Sequence, residues 1–86
     1  MVDNSRLTPI EQFVIDFVRK LRTDRGITQA DIGYIIGVSQ TFVANIENRK
    51  SPAKYNLNHI NKLADHLGVS PKDFMPSSAL NDESDN

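Results

Sequence analysis

TQADIGYIIGVSQTFVANIEN, running from Thr28 to Asn48, holds two short apolar-periodic segments on either side of a Gly37-Val38-Ser39 break. Each segment, 29–36 and 40–47, begins right after a hydroxyl residue that can accept from the unpaired N–H groups of a first helical turn. Thr28 is followed three residues on by Asp31, the spacing of a capping box, and Ile27 is placed to staple against Ile32. Ser39 repeats the device, with Val38 against Val43. Gly37 reaches positive φ at low cost and so ends the first segment sharply. Gly33 has no side chain, which lets a second helix cross closely, and Ile32, Ile36, Val38, Val43 and Ile46 then fill one shared core. The stretch predicts two helices joined by a tight turn.

Upstream, Thr8-Pro9-Ile10-Glu11 supplies a cap, a proline at the first helical position and a capping-box carboxylate. Ile10, Phe13, Val14, Phe17, Val18 and Leu21 recur at helical spacing from there. Arg19, Lys20, Arg22 and Arg25 gather toward the C-terminal end, where cations favour the macrodipole, and Gly26 stops the helix. Phe13 and Phe17 are assigned to the core because both fall on the apolar stripe. Downstream, residues 49–55 have no period and contain Pro52, which reads as a loop. Leu57, Ile60, Leu63, Ala64 and Leu67 mark a fourth helix ended by Gly68, and Ser70-Pro71-Lys72-Asp73 starts a short fifth anchored by Phe74. The predicted fold class is all-α, a compact five-helix bundle.

These residues resemble the helix-turn-helix of the phage-repressor family, the Cro/C1-type or XRE class of transcriptional regulators with a lambda-repressor-like DNA-binding domain. Gln29 opens the first helix, a small residue sits at Gly33, glycine sits at the turn at Gly37, and Ser39 starts the recognition helix, as in that family. The resemblance runs from about Phe13 to Phe74, through R-x-x-R-G-I-T-Q, G-V-S-Q, I-E-N and the later L-G-V-S. One position departs: the family usually has glycine where this chain has Arg49, and Asn48 is expected to take the left-handed turn instead.

The resemblance implies a sequence-specific double-stranded DNA-binding regulator, most simply a repressor, binding as a homodimer to two half-sites about one helical turn apart. It also implies that Gln40, Thr41 and Asn45 reach bases, and that Gln29, at a helix N-terminus, binds phosphate. Helical geometry agrees on the outward face. With Ser39 as cap and Val43 and Ile46 inward, Gln40, Thr41, Ala44, Asn45 and Asn48 lie outward or near it. The amides of Gln40 and Asn45 can pair bidentately with adenine, and Thr41 and Ala44 can meet thymine methyls. Phosphate contacts are expected from Gln29, Ser39, Asn48, Arg49, Lys50 and Lys54. Phe42 either lies over the DNA backbone or packs on the fourth helix. Tyr34 and Tyr55 either donate to phosphate or are partly buried aromatics. Glu47 has the wrong sign for DNA and is expected to hold an arginine or backbone groups near the motif.

Composition sets the remaining bounds. Eighty-six residues are read as one small domain, 8–76, with flexible termini at 1–7 and 77–86 and no room for a second, catalytic domain. There are no cysteines, so neither a disulfide nor a thiolate metal site is expected, and a reducing cytoplasm is the natural location. The polar opening MVDNSRLTPIEQ shows no signal peptide. The formal charge of −1 hides an asymmetry. Setting aside Asp82, Glu83 and Asp85 from the eleven acids leaves eight against ten bases, a net of +2 over residues 1–76. Between Ser39 and Tyr55 only Glu47 opposes Arg49, Lys50 and Lys54, and basic residues supply the phosphate contacts that dominate affinity. His59 and His66 have no further ligands to complete a metal shell, and no nucleophile, phosphate-cradling or cofactor motif is present. No metal, no cofactor and no enzymatic activity are expected. The competing reading is an antitoxin-like interaction module that neutralises a partner protein, which an exposed apolar patch outside the helical stripes would favour.

Overall fold

The computed structural model describes residues 7–81, so the parts of the expected flexible termini at 1–6 and 82–86 lie outside the described residues. Within it, local capping signals set the helix starts. Helix α1 (Pro9–Asp24) begins at Thr8, whose Oγ1 accepts from the Glu11 N–H while Glu11 Oε1 accepts from the Thr8 N–H. Helix α2 (Gln29–Ile36) and helix α3 (Gln40–Glu47) have the expected bounds. Helix α4 (Leu57–Leu67) starts from Asn56, and Gly68 closes it at φ 71°. Arg25 ties the end of α1 to that terminus, its Nη1 donating to the Leu67 carbonyl at 2.7 Å. Such a cation satisfies a carbonyl that has no partner within its helix.

The fifth element differs from expectation. Pro71–Phe74 is a single 3₁₀ turn, not an α-helix, so the described residues form four α-helices and this turn. Four residues between the Ser70 cap and the extended Met75 are too few to develop an i→i+4 ladder. The all-helical class is unaffected. Phe74 is nonetheless fully buried, its ring edge-on to Phe17 with centroids 4.9 Å apart, and it joins the 3₁₀ turn to α1.

The core runs through Ile32, Ile36, Val43, Ile46, Leu63 and Phe74, so α2, α3 and α4 share one interior. On α1 the buried residues are Val14, Ile15 and Val18, whereas Phe13 is exposed. The assignment of Phe13 to the core is therefore corrected: the apolar stripe of α1 is wider than the surface its neighbours cover, and Ile15 turns inward in its place. Leu7, ahead of the α1 cap, is half-buried against the core.

Candidate nucleic-acid interface

The turn between α2 and α3 fixes how α3 is presented. Gly37 is left-handed at φ 81°, and the N–H groups of Gly37 and Val38 both donate to the Gly33 carbonyl, at 2.8 and 2.9 Å. Gly33 is small for a more specific reason than helix crossing. A Cβ built there would lie 2.6 Å from the Val38 carbonyl oxygen and 3.2 Å from that of Ser39, so it is the turn backbone that presses against α2. Ser39 Oγ then accepts from the Phe42 N–H at 3.0 Å and starts α3.

Val43 and Ile46 point inward, leaving Gln40, Thr41 and Asn45 exposed and Ala44 half-exposed along one outer face. Beneath this face runs a polar chain that the sequence did not reveal. Arg22 of α1 grips Glu47 of α3 with two hydrogen bonds, Nε to Oε2 and Nη2 to Oε1, each 2.9 Å. Its Nη1 also donates to the Ile27 carbonyl at 3.1 Å. Glu47 Oε1 accepts in addition from Gln29 Nε2 at 3.0 Å, and Gln29 Oε1 in turn accepts from Gln40 Nε2 at 3.4 Å. A fixed cation on α1 thus orients, through two intermediates, an amide on the outer face of α3. Burial pushes the Glu47 carboxyl up, but the hydrogen bonds from Arg22 and Gln29 and the charges of Arg22 and Arg19 outweigh it and hold the group below the ordinary carboxylate range. Glu47 is therefore the structural anion that the sequence suggested. Its partner Arg22 was invisible only because the pairing spans 25 residues.

Asn48 does not adopt the left-handed turn expected of it. Its backbone stays extended at φ −87°, ψ 114°, and among the described residues positive φ occurs only at Gly26, Gly37 and Gly68. Its side chain makes the turn instead: Oδ1 accepts from the Lys50 N–H at 3.0 Å, and the Asn48 carbonyl accepts from the Ser51 N–H at 2.9 Å. Arg49, Lys50 and Lys54 are all exposed in this loop. Arg49 pairs with Asp16 at 3.5 Å and Lys54 with Glu11 at 2.8 Å, while Lys50 has no ion pair among the described residues. Solvent-exposed pairs of this kind contribute only about 0–1 kcal/mol, so they do not prevent either cation from turning to a phosphate. Gln29, half-buried between Glu47 and Gln40, is positioned more as a brace than as a free phosphate ligand.

The aromatic residues divide. Tyr34 is fully outward on α2, whereas Tyr55 is buried with a hydroxyl that makes no hydrogen bond among the described residues, and its burial together with nearby Glu47 raises its pKa. Of the two, only Tyr34 can reach a phosphate. Phe42 is half-buried and packs on α4, edge-on to His59 with centroids 6.5 Å apart. His59 also caps α4: its Nδ1 accepts from the Asn56 N–H at 3.1 Å, and its own N–H donates to Asn56 Oδ1 at 2.7 Å.

That cap requires a neutral imidazole, since a protonated Nδ1 has no lone pair to offer. Burial, with a smaller contribution from the Lys62 charge, lowers the His59 pKa from 6.5. Because the folded value lies below the unfolded one, the contribution is complete above pH 6.5 and declines as pH falls through the folded value. Glu11, Asp31 and Glu47, whose pKa values are also lowered, lose their contributions only below their ordinary values of 4.5, 3.8 and 4.5. Thermal melts of the wild type should therefore fall as pH drops below 6.5, before the carboxylates begin to lose their contributions below 4.5. His59→Gln, which keeps a capping acceptor, should flatten that interval and leave the acid limb in place. An equal slope in both proteins would assign the neutral limb elsewhere.

Capped α2, a glycine turn and a solvent-facing α3 define a helix-turn-helix protein. A family model of the Cro/C1-type HTH DNA-binding domain matches residues 18–76, and the chain belongs to that family. Comparison with curated proteins and with solved structures returned no match. Membership establishes a DNA-binding regulator of the transcriptional class. Among the described residues no helix is long and apolar enough to cross a membrane, and no three His, Asp or Glu side chains gather as a metal site would need.

Proposed function

We propose that the protein is a sequence-specific, homodimeric repressor that places α3 in the major groove of double-stranded DNA, without catalytic activity and in the cytoplasm. The observation that carries this reading is the exposed row of Gln40, Thr41 and Asn45, with Gln40 held in place through Gln29 by the half-buried Arg22–Glu47 pair. A pre-oriented amide loses less freedom on binding than a free one. Gln40 and Asn45 then read base edges, Thr41 and Ala44 meet thymine methyls, and Ser39, Asn48, Arg49, Lys50 and Lys54 lie toward the backbone, with Gln29 bridging the two sets. Repression follows from occupancy, because a dimer seated on successive major grooves excludes other proteins from the same site.

Selection of bound sites from random duplexes tests the reading, and a two-fold symmetric site should emerge. On that site Asn45→Ala should lose about 1–3 kcal/mol while leaving affinity for scrambled DNA unchanged, since an amide on a base edge reads sequence and not charge. Lys50→Ala should weaken binding to every duplex and reduce the salt slope by about 0.9. No enriched site, or equal losses from both variants on all DNA, would refute it. One observation favours the second reading, an antitoxin-like module for a partner protein: Ile10 and Leu57 form an exposed apolar surface away from α3.

A further inference from the structure

We propose that α1 carries an internal competitor for DNA: Glu11 and Asp16 hold Lys54 and Arg49 where a phosphate would otherwise hold them. Every duplex must then displace two carboxylates to bind. The inference rests on the phosphate-contact reading above and adds to it a device that sets how tightly any DNA is held. The three cations of the loop after α3 are not equivalent. Arg49 Nη2 lies 3.5 Å from Asp16 Oδ1 and Lys54 Nζ lies 2.8 Å from Glu11 Oε2, whereas Lys50 has no ion pair among the described residues. Both acids belong to one helix, and they reach partners 33 and 43 residues away. Tertiary folding therefore brings these charges together, unlike Lys20 and Asp24, which meet one turn apart on α1.

Each carboxylate is also set in place by a neighbour at its own end of the chain. Glu11 divides its two oxygens: Oε1 accepts from the Thr8 N–H at 3.0 Å as part of the α1 cap, which leaves Oε2 for Lys54. Asp16 Oδ1 accepts from Gln12 Nε2 at 2.9 Å, one turn earlier, as well as from Arg49. An acceptor already fixed in place loses less freedom on pairing than a mobile one. The hydrogen bond from Lys54 is the largest influence on the Glu11 carboxyl and holds it below its ordinary value of 4.5, so this half of the competitor is charged at neutral pH. Carboxylate and phosphate offer a guanidinium or an ammonium the same kind of anionic oxygen, so one cation exchanges one for the other.

The strength of the contacts suits the role. The Arg49 and Lys54 side chains are both more than half exposed, so each pair yields to a polyanion and neither locks the loop. Phosphate contacts supply essentially all of non-specific affinity. Opposing two of the three loop cations therefore lowers affinity for every sequence by the same factor. Neither pair involves a residue of α3, so the ratio between a selected site and scrambled DNA is left untouched.

Binding of the full chain to a mixed-sequence duplex and to the enriched duplex, at low salt, tests the proposal. Glu11→Gln and Asp16→Asn should each tighten binding to both duplexes about two- to fivefold, the range that an exposed pair allows, and together by about tenfold. Each variant keeps a side-chain oxygen for Thr8 or Gln12, so circular dichroism should be unchanged. Removing an acid anywhere favours a polyanion, and a double-mutant cycle separates that bulk effect from displacement. Asp16→Asn should lose most of its gain once Arg49 is replaced by alanine, and Glu11→Gln once Lys54 is. Asp24→Asn, which removes the same charge but frees only Lys20, should gain less than either. Gains that survive in the alanine backgrounds, or that Asp24→Asn matches, would overturn the competitor. So would the absence of any gain while Arg49→Ala and Lys54→Ala still weaken binding, which would leave the phosphate contacts standing. If those two alanine variants bound every duplex as the wild type does, the phosphate contacts themselves would fall, and the competitor with them.

Discussion

Arg22→Ala should cost about 3 kcal/mol or more of stability, because it strands a carboxylate that the fold has taken out of water. For a domain of this size that corresponds to a melting temperature lower by roughly 12–24 °C. The Arg22 and Glu47 side chains are only 15% and 7% exposed, which separates this pair from Lys20–Asp24, at 77% and 60%, where water already solvates both ends. Loss of the guanidinium leaves Glu47 with the Gln29 amide alone. The joint replacement Arg22→Met with Glu47→Leu should recover most of the loss, since two apolar groups need no partner where one buried charge does. Recovery of stability should not bring recovery of function. Gln29 would still lack the carboxylate that fixes its amide, and Gln40 would lose its brace, so discrimination between selected and scrambled DNA should stay reduced. Melting curves and binding curves on the three proteins therefore separate the two duties of the pair. A single Arg22→Ala cost below about 1 kcal/mol would mean that the pair behaves as a screened surface contact. Acid should act as a milder version of the same change: the Glu47 pKa is lowered by folding, so its contribution is present above 4.5 and lost as pH falls through the folded value.

What could be read from the sequence followed from how local the signal is. Thr28, Ser39 and Gly37 act within three or four residues, so α2, α3 and the turn between them were legible to the residue. The outward row on α3 followed from the same local geometry, because the positions of Val43 and Ile46 fix the rotation of a short helix. The brace beneath it was not legible. Arg22 reads as one of four cations near a helix end, and only the crossing of α1 over α3 singles it out for Glu47. Phe13 was misassigned for a related reason: periodicity identifies an apolar face, but which edge of that face is covered depends on where α3 and the 3₁₀ turn come to rest. At Asn48 the sequence offered two ways to turn, backbone or side chain, and the side-chain bond to the Lys50 N–H is the one that forms.

Gly33→Ala reverses an ordinary rule of helices, and its sign is the sharpest check on the geometry of the motif. In an unencumbered helix interior, alanine in place of glycine stabilises by roughly 0.5–1 kcal/mol through the entropy of the unfolded chain. Gly33 sits inside α2 with no positive φ to excuse it, so propensity alone predicts a gain. Space predicts the opposite. The added Cβ would meet the Val38 oxygen at 2.6 Å, and that oxygen belongs to backbone that cannot swing aside like a side-chain tip. The turn that must move is itself pinned by the two N–H donors on the Gly33 carbonyl, so relief at one point strains another. Overpacking of this kind costs about 1–3 kcal/mol, enough to outweigh the propensity gain, and a net loss near the upper end is expected because the obstacle is main chain. The damage should also be directional. Since the turn sets the tilt of α3 against α2, DNA affinity should fall further than the lost stability accounts for when measured well below the melting temperature. Gly33→Val, with more to accommodate, should exceed Gly33→Ala on both measures. A Gly33→Ala protein that melts higher than the wild type would show that the turn relaxes freely, and the tight approach of Val38 to α2 would then not be what holds α3 at its angle.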